Sequence, residues 1–266
     1  MRTDSTLQRD HKGTVVFDLD GVVYVGSAGV PGAAEAMESL ERDGWYLVFA
    51  TNNSTRDVAA VANHIADRTG FRSHDAAIVT SAMAAATWTT RGHRSAFVVG
   101  ERALCEALVE VGVKVVTTGT PDAVVVGLDR DINYETLAKA STMIRNGSTF
   151  VATNTDATFP TMEGPVPGAG SIVAAIATAS GVEPIACGKP FDPMIDLITQ
   201  RIRGEVAWVV GDRPETDIAM ATRVGWRSIL VHTGITASGS TVPDRFMPDH
   251  RCASITDVPG LMAEVP

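Results

Sequence analysis

The sequence predicts an α/β protein built on a parallel sheet, and two features of the chain support this prediction. Short apolar runs recur along it, most of them continuous and several rich in valine: TVVFD (14–18), YLVFA (46–50), AAIVTS (76–81), SAFVVG (95–100), DAVVVG (122–127), STFVAT (148–153), VAWVVG (206–211) and WRSILV (226–231). Continuous runs are typical of strands buried on both faces of a sheet. Amphipathic stretches at 33–44, 56–70 and 134–147, which end at or next to a glycine, predict the helices between them. The proline- and glycine-rich stretch 160–171 is expected to be a linker.

Composition narrows the class of protein. The 266 residues suffice for one large domain or two modest ones, and 45% hydrophobic against 20% charged residues is typical of a globular protein. A net charge of −9 argues against nucleic acid, whose binding requires a basic surface. No apolar stretch approaches the roughly 20 residues that cross a bilayer, and the polar start of the chain lacks the apolar core of a signal peptide. We therefore expect a cytoplasmic protein that binds neither nucleic acid nor membranes.

Two aspartates, Asp18 and Asp20, come at the end of the first apolar run and directly precede Gly21. Side chains at i and i+2 of a strand lie on the same side, so the two carboxylates repel unless a cation or a shared proton intervenes. A hard divalent cation would resolve the repulsion, with one carboxylate attacking as a nucleophile and the other moving a proton. Two solvated aspartates in a turn are the structural alternative.

Polar residues also follow the second run, in ATNNST (50–55), where Thr51 and Asn52 end the strand. Ser54, with Asp57 three residues later, is similar to a capping box. The start of a helix flanked by hydroxyl and amide side chains can bind an anion. Helix capping alone is the alternative.

Two later clusters complete the set. In CGKPFDP (187–193), Lys189 is one of only four lysines, and its place between glycine and proline would hold an ammonium at the sheet end; an exposed loop lysine is the alternative. In VVGDRPETDI (209–218), Asp212 follows a buried strand as Asp18 does. Asp217 falls in the first turn of the next predicted helix, where complementing the helix dipole is the alternative role.

All four clusters come at strand ends, and their chemistries complete one another. Ligands of open α/β sheets bind at the carboxyl ends of strands, although a (β/α)₈ barrel would also place its site there. An aspartate that attacks a phosphate dianion at 4 Å is repelled by about 8 kcal/mol at an effective dielectric of about 20. A divalent metal on Asp18 and Asp212, with Lys189, would offset this, and backbone N–H groups near Gly21 and Asn53 would hold the phosphoryl oxygens. The set predicts phosphoryl transfer through an aspartyl-phosphate.

The segments FDLDGVVY, ATNNS, CGKP and GDRPETDI resemble, in order, the four motifs of the haloacid-dehalogenase-like superfamily of phosphohydrolases. Further stretches, among them VVVGLDRDINYETLAKA, FVATNTDATFP and PVPGAGS, are similar to its NagD-type branch, which includes phosphatases of phosphoglycolate, glycerol 3-phosphate, pyridoxal phosphate and nucleotides. The resemblance runs from about Thr14 to the C-terminus. It implies a doubly wound, Rossmann-like parallel-sheet core in residues 1–81 and 185–266, with an α/β cap domain inserted at 82–184.

The resemblance also implies roles for the acidic and basic residues of these motifs. Asp18 would be the nucleophile and a Mg²⁺ ligand. Asp20 would be the general acid/base, with its backbone carbonyl on the metal. Lys189 would stabilise the nucleophile and the transferring phosphoryl group, Asp212 would bind the metal, and Asp217 would support the metal site.

Substrate contacts follow from the same resemblance. Thr51, Asn52 and Asn53 would bind the phosphate, and the cap loop 154–160 would face the site. Phe159 stands where some relatives have a histidine that touches the substrate. Because phenylalanine cannot hydrogen-bond a ring substituent, pyridoxal phosphate is disfavoured as the substrate. Ordinary core packing is the alternative for Phe159.

The expected activity is Mg²⁺-dependent hydrolysis of small phosphate monoesters such as glycerol 3-phosphate or 2-phosphoglycolate, followed by nucleoside monophosphates and sugar phosphates. The presence of Asp20 favours ester hydrolysis, because the relatives that displace halide lack this second aspartate. A non-catalytic protein that binds a phosphorylated ligand is the rival class, although such a protein would be expected to lose Asp20 or Lys189. Relatives often pair through the cap, which makes a homodimer the expected assembly.

Overall fold

A computed structural model describes residues 11–161 and 164–264. The strands are β1 Gly13–Phe17, β2 Tyr24–Val25, β3 Ala28–Gly29, β4 Trp45–Thr51, β5 Ile78–Thr80, β6 Ser95–Val99, β7 Lys114–Val115, β8 Ala123–Val126, β9 Thr149–Ala152, β10 Thr158–Thr161, β11 Gly164–Pro167, β12 Ile185–Ala186, β13 Val206–Gly211, β14 Arg227–Val231 and β15 His250–Cys252. The α-helices are α1 Ala33–Arg42, α2 Val58–Thr69, α3 Ser81–Thr89, α4 Arg102–Glu110, α5 Tyr134–Arg145, α6 Ala169–Ser180, α7 Asp192–Thr199, α8 Ala219–Val224 and α9 Val258–Glu264.

The chain forms two compact units. The first contains the described residues up to Ala50, together with Ile65–Ala77 and the residues from Ile198 onward. The second contains Thr51–His64 and Ile78–Leu197. The domain boundaries that the resemblance implies, 1–81, 82–184 and 185–266, stay a prediction.

The first sheet places β1 at its centre. Its six strands run in the order β15-β14-β13-β1-β4-β5, and β1 pairs in parallel with both β13 and β4. The chain fills one side of β1 first and then returns to the other side with β13, so the strand order reverses between β1 and β13. Ligands of open α/β sheets bind at such a switch point, outside the carboxyl ends of the strands.

Apolar periodicity explains why α1 forms and packs where it does. Ala33, Ala36, Met37 and Leu40 are its buried residues, and their spacing of three and four residues places them on one helix face. The other face carries exposed charged residues such as Glu35 and Arg42. The helix ends two residues before Gly44, whose positive φ of 90° suits glycine.

The second unit has a parallel sheet of its own, with five strands in the order β12-β9-β8-β6-β7. Strands β6, β8 and β9 share one hydrophobic core with helices α5 and α6, formed by Phe97, Val99, Val124, Val126, Ala140, Ile144, Phe150, Ala152, Ile172, Val173 and Ile176. The predicted fold class is therefore confirmed: a parallel core sheet and a separate, inserted parallel-sheet cap. Two open sheets also exclude the single closed barrel.

The stretch predicted as a linker is not one. β10 and β11 pair in antiparallel fashion, with Phe159 opposite Val166, and α6 begins at Ala169. Proline is tolerated in such an isolated two-stranded hairpin because an edge position leaves backbone groups without ladder partners. Residues 162–163 lie outside the described part of the chain.

No helix within the described residues combines the length and the apolarity that a membrane crossing requires.

Asp122 fastens the start of β6 to the loop before β8. Its Oδ2 accepts hydrogen bonds from the N–H groups of Arg94 and Ser95 at 2.8 and 2.9 Å and from the Ser95 hydroxyl at 3.0 Å. These bonds, that of the Arg94 N–H first, hold the pKa of Asp122 below its ordinary value of 3.8.

We expect Asp122→Asn to lower the melting temperature at neutral pH, because it removes the charge that these donors stabilise. The folded-state pKa is depressed, so this stabilisation is complete above the unfolded-state pKa and is lost as the pH falls through the folded-state pKa. The difference in melting temperature between wild type and variant should therefore shrink as the pH falls through 3.8 and below. Asp67→Asn, at an exposed position of α2, controls for loss of a surface charge. A difference independent of pH would contradict this account.

Candidate active site

Three buried carboxylates come together in the first unit. One carboxylate oxygen each of Asp18, Asp212 and Asp217 lies within 4.8 Å of the other two, and the three residues are only 8%, 2% and 1% exposed. Asp18 follows the last residue of β1, and its N–H donates to the carbonyl of Val210 in β13 at 2.9 Å. The cluster therefore sits at the switch point of the sheet.

Asp217 reaches this cluster because the turn that carries it packs closely against Gly211, the last residue of β13. Residues Pro214–Ile218 form a single π-helical turn, and the N–H of Arg213 donates to Asp217 Oδ2 at 3.1 Å. A Cβ at Gly211 would lie 2.2 Å from the Cβ of Asp217, so only glycine fits there. Asp217 is buried beside two other carboxylates and also accepts from the N–H at the start of the turn, so its metal-site role and the alternative role at the helix start both stay predictions.

The donor set of this cluster fits a hard divalent cation. All three groups offer carboxylate oxygens, which suit Mg²⁺ and Ca²⁺ better than softer metals. A positive charge among them would also offset the repulsion between like charges in a buried place. The residues that would hold Mg²⁺ are therefore Asp18, Asp212 and Asp217.

Asp20 and Gly21 occupy the turn that follows. β1 ends at Phe17, so the strand alternation expected to align Asp18 with Asp20 does not extend to them. Asp20 is half-buried, and its carboxylate lies outside the cluster of three. Gly21 has a φ of 95°, and its N–H donates to the Tyr24 carbonyl at 2.7 Å. The metal contact expected from the backbone carbonyl of Asp20 and the phosphate contact expected near Gly21 stay predictions.

The loop after β14 also contacts the acidic cluster, and the sequence did not predict this contact. The N–H of Ile235 donates to Asp212 Oδ2 at 2.6 Å, and the Thr233 hydroxyl donates to the Gly21 carbonyl at 2.6 Å. A Cβ at Gly234 would lie 1.9 Å from Asp212 Oδ2. The sequence did carry a signal for this loop: the stretch HTGIT directly follows the apolar run WRSILV, as the other polar clusters follow their own runs.

In the second unit, Thr51 and Asn53 form a compact polar turn. The Thr51 hydroxyl oxygen accepts from the N–H of Asn53 at 3.0 Å, and Asn53 Oδ1 accepts from the N–H and the hydroxyl of Thr55, both at 2.8 Å. Asp57, rather than Ser54, caps α2, because its Oδ1 accepts from the N–H of Ala60 at 2.7 Å. The predicted capping box at Ser54 is therefore wrong.

Asn52 and Lys189 are joined directly. The N–H of Lys189 donates to Asn52 Oδ1 at 2.8 Å, and Asn52 Nδ2 lies 3.3 Å from the Lys189 carbonyl oxygen. Lys189 is only 3% exposed, which excludes the exposed-loop alternative for this residue.

Phe159 lies in the hairpin strand β10 and is half-buried. The guanidinium carbon of Arg130 lies 5.9 Å from the centre of its ring, within the range of a cation–π contact. Phe159 is not among the residues of the core that β6, β8 and β9 share with α5 and α6, and its role in substrate contact stays a prediction.

Cys187 precedes the Gly188–Lys189 pair but is unsuited to act as a nucleophile. Burial raises the pKa of its thiol to about 12, and the protonated thiol is a poor nucleophile. Cys187 is therefore excluded as a nucleophile of these motifs.

Family models match both ends of the chain. A model described as haloacid dehalogenase-like hydrolase matches residues 15–114, and a HAD-hydrolase-like model matches residues 186–258. The chain is 33% identical to the 5′-nucleotidase YutF of Bacillus subtilis, over 94% of this chain and 98% of that protein. It is 36% identical to the D-glycerol 3-phosphate phosphatase of Mycobacterium tuberculosis, over 86% of this chain and 65% of that protein. It is 35% identical to an acid sugar phosphatase of Staphylococcus aureus, over 83% of this chain and 86% of that protein.

Solved structures resemble the whole architecture. A hypothetical protein from Pyrococcus horikoshii matches with a TM-score of 0.88 and 36% identity, over 94% of this chain and 99% of that one. The glycerol phosphate phosphatase of M. tuberculosis, solved in complex with magnesium, matches with a TM-score of 0.84 and 33% identity, over 92% and 75%. NagD from Escherichia coli K-12 matches with a TM-score of 0.83 and 32% identity, over 94% and 98%.

We expect Gly234→Ala to weaken Mg²⁺ binding by at least about tenfold, the effect typical of disturbing a group that orients a metal ligand. Its new Cβ would lie 1.9 Å from Asp212 Oδ2 and would displace that carboxylate from the cluster. Isothermal titration of both proteins with Mg²⁺ measures the change. Gly260→Ala in α9 is the matched control, because a Cβ there meets no other atom within 4 Å. An unchanged affinity in Gly234→Ala would argue against metal binding by Asp212.

Proposed function

This chain belongs to the haloacid-dehalogenase-like hydrolase family and is a phosphatase of its NagD-type branch; from that membership we propose that it hydrolyses small phosphate monoesters through an aspartyl-phosphate on Asp18. The observation that carries the proposal is the buried cluster of Asp18, Asp212 and Asp217 at the switch point of the sheet. We assign Mg²⁺ to this cluster. When bound, the cation would supply the positive charge that lets a carboxylate approach a phosphate dianion.

The two aspartates after β1 divide the chemistry. A carboxylate oxygen of Asp18 attacks phosphorus and forms the new O–P bond, while the ester oxygen leaves with a proton from Asp20. Asp20, now ionised, then takes a proton from the water that attacks phosphorus in the aspartyl-phosphate. The second step breaks the bond to Asp18 and releases inorganic phosphate. The position of Asp20 outside the acidic cluster supports this role, because a carboxyl group away from the metal can hold the proton that it donates to the ester oxygen.

Residues of the second unit are proposed to hold the phosphoryl group. Lys189 supplies a buried positive charge, which is worth more in a low dielectric than in water. The Thr51 hydroxyl already accepts from Asn53, so its proton is directed to another acceptor such as a phosphoryl oxygen. The N–H of Asn53 donates to the Thr51 hydroxyl at 3.0 Å, so Asn53 is assigned the role of holding that hydroxyl, and its own contact to the phosphate stays a prediction.

We propose a compact substrate, with glycerol 3-phosphate or 2-phosphoglycolate first. The M. tuberculosis relative named as a D-glycerol 3-phosphate phosphatase is 36% identical to this chain, and Phe159 on the cap hairpin offers no hydrogen bond to a larger polar leaving group. Nucleoside monophosphates and sugar phosphates are the alternative, supported by the 5′-nucleotidase and acid sugar phosphatase relatives at 33% and 35% identity.

Release of inorganic phosphate from a panel of these esters, with and without Mg²⁺, tests the proposal. Wild type should release phosphate only with Mg²⁺. Asp18→Asn should reduce kcat by at least about 10³-fold, because it removes the nucleophile. Asp20→Asn should reduce kcat by about 10²–10⁴-fold, the usual contribution of a general acid/base.

The rank order of esters in wild type identifies the substrate class. Full phosphate release by Asp18→Asn would overturn the aspartyl-phosphate mechanism, and release in the presence of a chelator would overturn the assignment of Mg²⁺.

A further inference from the structure

We infer that Asn52 is a positioning residue that fixes the main chain of Lys189, and that Asp156 holds Asn52 in the orientation this requires. The inference rests on the proposed function, in which Lys189 stabilises the phosphoryl group. It replaces the direct phosphate contact that the family resemblance implied for Asn52.

The side chain of Asn52 hydrogen-bonds to both main-chain polar groups of Lys189. Its Oδ1 accepts from the N–H of Lys189 at 2.8 Å, and its Nδ2 donates to the carbonyl of Lys189 at 3.3 Å. Two hydrogen bonds from one planar amide to one residue's N–H and C=O define the orientation of that residue in a way that a single bond does not. These two bonds therefore fix the main-chain position from which the Lys189 side chain extends.

Asp156 selects the orientation of the amide. Asn52 Nδ2 donates to Asp156 Oδ2 at 3.1 Å, and an ionised carboxylate can only accept hydrogen bonds. A flipped Asn52 amide would place its own oxygen against the Asp156 carboxylate and the Lys189 carbonyl, and would turn its NH₂ toward the Lys189 N–H. Each contact would then pair like with like.

The surroundings of Asn52 leave little freedom to move. Its carbonyl accepts from the Ser81 hydroxyl at 2.6 Å and from Asn154 Nδ2 at 2.7 Å. A Cβ at Gly188 would lie 2.5 Å from Asn52 Oδ1 and 2.6 Å from the Thr153 carbonyl oxygen. The strand end, the loop before Lys189 and the loop 153–156 therefore meet at a single asparagine.

Every hydrogen-bonding group of the Asn52 amide is committed by these contacts. Both N–H groups of Nδ2 have acceptors and Oδ1 has a donor, so the side chain acts on the reaction through Lys189. Asp156 also stands two residues before β10, the hairpin strand that carries Phe159. The segment that presents the hairpin is thus tied to the same amide that fixes the lysine.

Four variants test the inference. Asp156→Ala and Asn52→Asp should each lower kcat by about tenfold or more with little change in KM, since misplacing a charged group affects the transition state most. Asp156→Asn keeps an acceptor for Asn52 Nδ2 and should retain most of kcat. The double variant Asn52→Asp/Asp156→Asn restores a donor–acceptor pair in reverse and should be more active than Asn52→Asp alone.

Two controls separate this inference from the proposed function. Glu183→Ala removes an exposed carboxylate of the second unit and should leave kcat unchanged. Binding of inorganic phosphate, measured by isothermal titration in the same variants, gives a readout independent of turnover. It should weaken about tenfold in Asp156→Ala and little in Asp156→Asn.

Equal loss in Asp156→Asn and Asp156→Ala would overturn the inference, because it would assign the effect to the charge of Asp156 and not to its hydrogen bond. Wild-type kcat and phosphate affinity in Asp156→Ala would also overturn it, while an active wild type and an inactive Asp18→Asn would leave the proposed function standing. An inactive wild type would count against the proposed function, and the phosphate titrations would still decide the inference.

Discussion

The repulsion among three buried carboxylates is the constraint on which the rest of this site depends. With oxygens within 4.8 Å, each ionised pair among Asp18, Asp212 and Asp217 repels by roughly 3 kcal/mol or more at an effective dielectric of about 20. The N–H groups of Arg213 and Ile235 offset part of this cost, and one divalent cation would offset all three pairs together. Gly21 and Gly234 follow from the same constraint, because a Cβ at either position would collide with the Asp212 carboxylate.

The fold brings these charges together without long side chains. The strand order reverses between β1 and β13, so the first residues after two neighbouring strands, Asp18 and Asp212, emerge side by side. A π-helical turn then places Asp217 against Gly211, and the loop after β14 supplies the N–H of Ile235. In the second unit, the group that holds the polar segments together is an uncharged amide. The amide of Asn52 ties three segments together and fixes the main chain of the buried Lys189.

The sequence predicted those parts of the protein whose structure requires particular residue types. Each apolar run coincides with a strand, because a parallel strand buried on both faces must be continuously apolar wherever it lies in the sheet. Asp18 and Asp212 could be found because charge directly after such a run is costly without a partner, whereas the metal-site role of Asp217 was implied only by the family resemblance. The hairpin of β10 and β11 was hidden by its prolines and glycines. The contribution of Ile235 was hidden because a backbone N–H leaves no signature in the side chain. The commitment of Asn52 to Lys189 depends on contacts 137 residues apart, which a single sequence does not reveal.

Thermal unfolding of wild type and Asp212→Asn, each with and without saturating Mg²⁺, tests the central claim most directly. Without a divalent cation the variant should melt at a higher temperature than wild type, since it removes one of three mutually repelling charges and its amide oxygen can still accept from Ile235. With Mg²⁺ at about 100 times its Kd, wild type should gain about 2.7 kcal/mol from binding, and the gap between the two melting temperatures should narrow because the variant binds the cation more weakly. If Asp212→Asn is less stable than wild type under both conditions, or if Mg²⁺ stabilises both proteins equally, the carboxylates do not share a cation and the account of the site is wrong.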